Sequence, residues 1–175
     1  MKKTLIIFFI IVGVLAIGVG VYYLSKYLNE PSEEEILDAQ EQIEEEFKTA
    51  EVDMPEDDKL DLKIRFPDDL AESNIQDIIH GMSHQKVAAE QKWGEYQITQ
   101  ERVERLLEVA ILNKEKYISG DAYVSILEKW VQGDFSNAVL DHNYIWSLQG
   151  GNVGEATRLL TPVEEKAYIE SHFKK

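Results

Sequence analysis

The stretch TQERVERLLEVAIL, residues 99–112, decides the fold class. Val103, Leu106, Leu107, Ala110 and Ile111 recur at i, i+3, i+4, i+7 and i+8, which is one apolar stripe of an amphipathic helix. Thr99 stands just before them, where a hydroxyl caps the first free N–H groups. Working outward, Leu70, Ile75, Ile78, Ile79 and Met82 form an earlier helix with Gly81 near its end. The segment KVAAEQKWG, residues 86–94, reads as its continuation or restart. Downstream, Tyr123, Ile126, Leu127, Trp130 and Val131 form a helix entered near Ser119-Gly120-Asp121 and stopped at Gly133. Phe135, Val139, His142 and Trp146 share a stripe with Ala138 and Ile145 beside it, and Gly150-Gly151 ends that helix in the left-handed turn glycine permits. Thr161-Pro162-Val163-Glu164 is a capping box with proline at the first helical position, launching a last helix that carries Val163, Ala167, Tyr168 and Phe173. The pattern predicts an all-α domain of about five helices over residues 68–175, with no internal repeat.

The composition changes upstream. Residues 30–69 hold 17 of the 33 acids but only four of the 18 basic residues, so the acidity belongs mainly to a stalk or linker, expected over 26–67. Ser32 and Glu35 after Pro31 spell another capping box, and Ile36, Leu37, Ile43 and Phe47 make a sparse helical stripe. Two prolines and a charge run then break the helix, although Leu60, Leu62, Ile64 and Phe66 alternate as one short strand does. No second strand offers itself as a partner. The acids at 53, 57, 58 and 61 lack the glycine and closing glutamate of a calcium loop, so a solvated spacer is the favoured reading.

From Thr4 through Ser25 the chain has no charged residue, and TLIIFFIIVGVLAIGVGVYYL supplies the roughly 20 apolar residues that cross a bilayer as a helix. A single transmembrane helix is therefore expected over 4–25, after a cytoplasmic tip at 1–3. Lys2 and Lys3 precede it and acids follow, which places the amino terminus inside and the domain outside the cell membrane. Tyr22, Tyr23 and Tyr27 fall at the outer interface. The alternative is a signal peptide cleaved near Ala16-Ile17-Gly18 and a secreted product, but the apolar run exceeds the usual length of such a segment.

A net charge of −15 excludes nucleic acid as a natural partner, because duplex affinity rests on Lys and Arg displacing counterions. The absence of cysteine removes disulfides, thiolate zinc sites, thiol catalysis and acylated-cysteine processing together.

The candidate chemistry is sparse. His142 lies on an apolar stripe, where an imidazole usually bonds a core oxygen. Its neighbours Asp141 and Asn143 point about 100° away on a helix and do not orient it. His80 and His84 have the i, i+4 spacing that puts two imidazoles on one helical face, without the glutamate of a zinc protease. With His142 they would make a three-imidazole zinc site, its fourth ligand drawn from Glu72, Asp77 or Asp141. Ser83-His84-Gln85-Lys86 matches S-x-x-K without the companion motifs, and QGGNVG lacks the strand and lysine of a phosphate loop. Trp93, Trp130 and Trp146 at helical spacing read as core.

The segments MSHQKVAAEQKWG (82–94), ILEKWVQGDFSNAVLDHNYIWSLQGG (126–151) and TPVEEKAYI (161–169) together resemble a family of small proteins from Gram-positive, endospore-forming bacteria. Its members share an N-terminal membrane helix and a C-terminal domain of unknown function. The resemblance implies an anchored extracytoplasmic helical domain and brings no reaction, cofactor or partner. It places Ser83, His84, Gln85, Trp93, Asp134, His142, Asn143 and Trp146 in the characteristic motifs, as a polar network or a cleft lining. The functional expectation is a membrane-anchored binding module for a protein or envelope component, without catalysis or cofactor. The alternative is a zinc-binding or metal-dependent hydrolytic domain built on His80, His84 and His142.

Overall fold

A computed structural model describes residues 17–21, 23–25, 30–49 and 62–174. The chain divides into two compact units, residues 1–35 and 36–175. In the first, residues 17–21 and 23–25 are helical; the rest of the expected membrane span, including Tyr22, lies outside the described residues, as does Tyr27. Among the described residues no helix is long and apolar enough to cross a membrane. The Ser32 capping box is present: Glu35 accepts from the backbone and hydroxyl of Ser32, whose Oγ accepts from Glu35 N–H.

The elements in chain order are α1 (Glu33–Thr49), α2 (Glu72–Ser83), β1 (Val87–Ala89), α3 (Gln100–Asn113), α4 (Gly120–Val131), α5 (Ala138–Leu148), β2 (Ala156–Leu159) and α6 (Pro162–Phe173). Helix thus dominates, as the periodicity predicts. The core of the second unit gathers Ile75, Ile79 and Met82 of α2, Val103, Leu106, Val109 and Ala110 of α3, Tyr123, Leu127 and Trp130 of α4, and Ile145 of α5. α3 packs on α4, and α2 packs on α5.

Three sequence expectations are corrected. Residues 86–94 are not helical: Val87–Ala89 pair antiparallel with Ala156–Leu159, with Val87 opposite Leu159 and an irregularity between Ala88 and Ala89. The rest of 90–99 runs without regular structure. In the expected short strand, Leu60 lies outside the described residues, but 62–65 form a helical turn closed by Phe66 N–H to Leu62 O at 2.8 Å. Leu62 and Phe66 are therefore one turn apart and buried, while Ile64 is 70% exposed. In α6 the buried residues are Glu165 and Ile169. Ala167 is exposed, because Glu165 turns inward to meet the Lys86 ammonium and the Gln85 amide.

The segment on both sides of residue 68 is tied down by polar contacts. Arg105 is buried and donates twice to Phe66 O, at 3.0 and 2.7 Å, and to Asp68 at 2.6 Å. Glu72 caps the turn into α4, accepting from Ile118 N–H, Ser119 N–H and the Tyr123 hydroxyl. Farther along, Phe47 of α1 meets Phe135 edge to face at 5.8 Å.

The capping signals hold. Thr99 accepts from Arg102 N–H, and Thr161 with Glu164 completes the reciprocal box. Arg158 and the Thr161 N–H together hold the Glu164 carboxyl down to about 2. Gly150, at φ +70°, ends α5 as predicted. Thr161→Ala is expected to cost about 1 kcal/mol, the usual loss of a helix cap. Ile79→Ala, fully buried, should cost about 2–5 kcal/mol. Urea denaturation of the full chain measures both, and equal losses would contradict this division between surface cap and core.

Candidate functional site

The last turn of α2 carries His80 and, at its C-cap, His84, whose backbone stays helical at φ −57° and ψ −28°. That continuity keeps the two imidazoles on one face. Packing of α2 on α5 brings in His142, and the three ring centroids lie 4.5 to 5.3 Å apart. One ring nitrogen from each histidine lies within 4.8 Å of the other two. His84 and His142 are fully buried, whereas His80 is half-buried and reaches the surface.

Each imidazole has one nitrogen committed to a carbonyl-type oxygen. His84 Nδ1 donates to Gly94 O at 2.8 Å, and His142 Nε2 donates to Gly154 O at 3.1 Å. His80 Nδ1 meets Gln149 Oε1 at 2.6 Å. Gln149 is oriented in turn by its own amide, which donates to Asp77 at 2.7 Å, so its oxygen faces the ring and accepts. These acceptors fix the tautomers, because a carbonyl oxygen can only receive the proton. They leave lone pairs on Nε2 of His80, Nε2 of His84 and Nδ1 of His142.

Two of these lone pairs are poorly served. His84 Nε2 is buried without a hydrogen-bond partner. His142 Nδ1 lies 2.9 Å from Ser83 Oγ, but that hydroxyl also sits 2.5 Å from His80 O. One hydroxyl proton cannot satisfy both.

The glycines that supply the carbonyls are built for the task. Gly94 and Gly154 have φ of +83° and +93°, and a Cβ on Gly154 would meet Gln91 O at 2.7 Å. A side chain there would displace the loops that carry the two acceptors.

The surroundings keep the rings neutral. Burial pushes the imidazolium pKa of His84 down to about 3 and that of His142 to about 4, assisted by repulsion from the neighbouring rings and Lys92. Burial lowers His80 too, against the pull of Gln149 and Asp77. Lys92 is held beside the group by a 2.8 Å bond to His84 O and lies over the Tyr168 ring.

The carboxylates expected as fourth ligands are engaged elsewhere. Glu72 caps the entry to α4, and Asp141 accepts from Trp130 Nε1 at 3.1 Å. Asp77 stands behind Gln149, one step removed from His80. A surface cavity of about 710 Å³ includes Asp77, Tyr96, Arg102 and His172 in its wall but none of the three histidines.

The motif residues separate into two groups. Ser83, His84 and His142 converge as described. Gln85 is buried next to them and accepts from Ile98 N–H while donating to Glu165. Asn143 pairs with both backbone groups of Ala156, and Trp146 donates to Val153 O, so both pin the segment around Gly154. Asp134 caps Ser136 N–H, and Trp93, expected in the core, is instead 64% exposed, because residues 91–99 are not helical and carry it on the loop before Gly94. Sequence reasoning missed Gln149, Lys92 and the two glycine carbonyls. A backbone acceptor has no side-chain signature, and Gln149 gave no signal beyond its place at a helix end.

A family model described as a family of unknown function (DUF6241) matches residues 79–170, more than half of the chain and the whole of the histidine group. No curated protein and no solved structure matches.

The lowered histidine pKa values fix a pH dependence. Unfolded imidazoles take up protons near 6.5, whereas His84 and His142 in the folded protein do so only near 3 and 4. Their contribution is intact above the unfolded value and is lost as pH falls below it. In chelator-treated buffer, stability of the full chain should drop between about pH 7 and 5, above the carboxylate range. His142→Gln should flatten that slope; an unchanged slope would mean the rings are not buried as described.

Proposed function

The chain belongs to that family of unknown function, and we propose that its domain is a binding module for a divalent transition metal of the zinc class, held by His80, His84 and His142. The observation that carries this reading is the arrangement of hydrogen bonds. All three imidazoles turn one nitrogen to an oxygen acceptor and keep a lone pair on the other, unpartnered in His84 and sharing only the Ser83 hydroxyl in His142, which is the outer-shell pattern that fixes histidine ligands in metal sites. His84 Nε2 is buried without a partner, as are the Glu101 oxygens and the Tyr168 hydroxyl, but of these it alone belongs to a ring packed against two other imidazoles.

Neutral imidazoles select the metal class. Nitrogen donors suit zinc, copper, nickel and iron, whereas calcium and magnesium want oxygen. Tetrahedral zinc with bonds of about 2.0–2.1 Å needs its nitrogens roughly 3.3 Å apart, so loading draws the rings closer than their present 4.8 Å limit. The depressed pKa values favour the same outcome, since only the neutral ring binds metal.

On this reading the uncharged run over residues 4–25 holds the domain at the outer face of a membrane, which its length and the flanking charges favour.

The full chain, stripped with chelator and titrated with zinc, should bind one ion per chain. At a free concentration 100-fold above Kd, zinc should stabilise the fold by about 2.7 kcal/mol. His80→Ala, His84→Ala and His142→Ala should each abolish stoichiometric binding. Gln149→Ala, an exposed change that spares the core, should weaken affinity roughly 10- to 100-fold by freeing the His80 ring. Zinc affinity indifferent to Gln149 and to all three histidines would refute the assignment.

A further inference from the structure

The charge around the three imidazoles is as informative as their geometry. The donors are neutral, and the candidate carboxylates Glu72, Asp77 and Asp141 are bonded to Ser119, Gln149 and Trp130 respectively. The fixed charge closest in its effect on the two buried rings is a cation: Lys92, anchored on His84 O, acts unfavourably on protonated His84 and His142 alike. Asp77 reaches the group only through Gln149 and His80, so a dication held here has no carboxylate in contact with it, and a poorly compensated buried charge is costly. Three nitrogens also leave a tetrahedral ion one ligand short.

Access is one-sided. His84 and His142 are closed off, while His80 is half-buried and its bond to Gln149 lies at the surface. His80 is thus the side from which a fourth ligand would reach the group.

We infer that a metal bound by His80, His84 and His142 keeps one position for a small monovalent anion from solution, drawn in past His80 and favoured by the Lys92 ammonium. The inference rests on the metal-binding reading above. It makes the loaded domain a receptor for small inorganic anions or carboxylates, and it gives Lys92 opposite effects on the two partners. The Lys92 charge repels the dication and attracts the anion. Arg158 and Glu164 are paired with each other at 2.7 Å and largely cancel in this field.

The test uses cobalt(II) in place of zinc on the full chain, because its visible spectrum reports the ligand set. With cobalt bound one to one, azide and acetate should each shift the bands in a saturable way. Lys92→Gln should weaken azide binding roughly ten-fold while cobalt binds as tightly as before or more so, the scale expected for losing one neighbouring charge. Lys92→Arg, which keeps the charge, should retain azide affinity and so separates charge from any loss of packing. Cobalt binding that requires the three histidines but ignores azide and acetate would overturn this inference and leave the metal reading standing. A Lys92→Gln protein that binds azide as tightly as the parent would overturn the role of Lys92. Cobalt binding that survives loss of all three histidines, or no binding at all, would overturn both readings.

Discussion

Three imidazoles packed within 4.5 to 5.3 Å of one another cannot all be charged, and that constraint organises this domain. A neutral imidazole has one donor and one acceptor nitrogen, so each ring needs an oxygen on one side only. The chain supplies those oxygens from three places: Gly94 on the loop after β1, Gly154 on the loop before β2, and Gln149 at the end of α5. The two loops and the helix end are arranged around the rings.

The small two-stranded sheet follows from the same requirement. β1 and β2 share three registered pairs, too few to be stable alone. They are supported by Asn143, which bonds both backbone groups of Ala156, and by a secondary apolar cluster of Val87, Ala138 and Ala156. The sheet in turn fixes where the chain leaves Lys86 and enters Ala156, and so where Gly94 and Gly154 present their carbonyls. Trp146 tightens the second of these loops through Val153 O. Burial of Glu165 belongs to this set as well, because it neutralises Lys86 at the head of β1.

A second polar framework holds the segment that precedes α2. Arg105, Asn113 and Tyr117 bond the backbone carbonyls of Phe66, Asp68 and Leu70, replacing the water those groups would lose on burial. Here every buried donor has an acceptor. His84 Nε2, by contrast, is buried without a partner.

The sequence by itself determined the helices, because apolar residues at i, i+3 and i+4 have one low-energy way to be buried and because Thr99 and Thr161 mark their starts by local hydrogen bonds. It also placed His80 and His84 on one face, since their spacing is a property of the helix alone. Tertiary structure decided the rest. Segments of three and four residues carry too little periodicity to be seen as strands, and their pairing joins residues about 70 positions apart. The inward turn of Glu165 depends on a lysine in another element. The meeting of His142 with the other two histidines exists only because α2 packs on α5, and their second-nitrogen partners are backbone carbonyls and one glutamine that no local pattern marks. Local periodicity is written in neighbouring residues, whereas the convergence of the three imidazoles is a property of packing between distant ones.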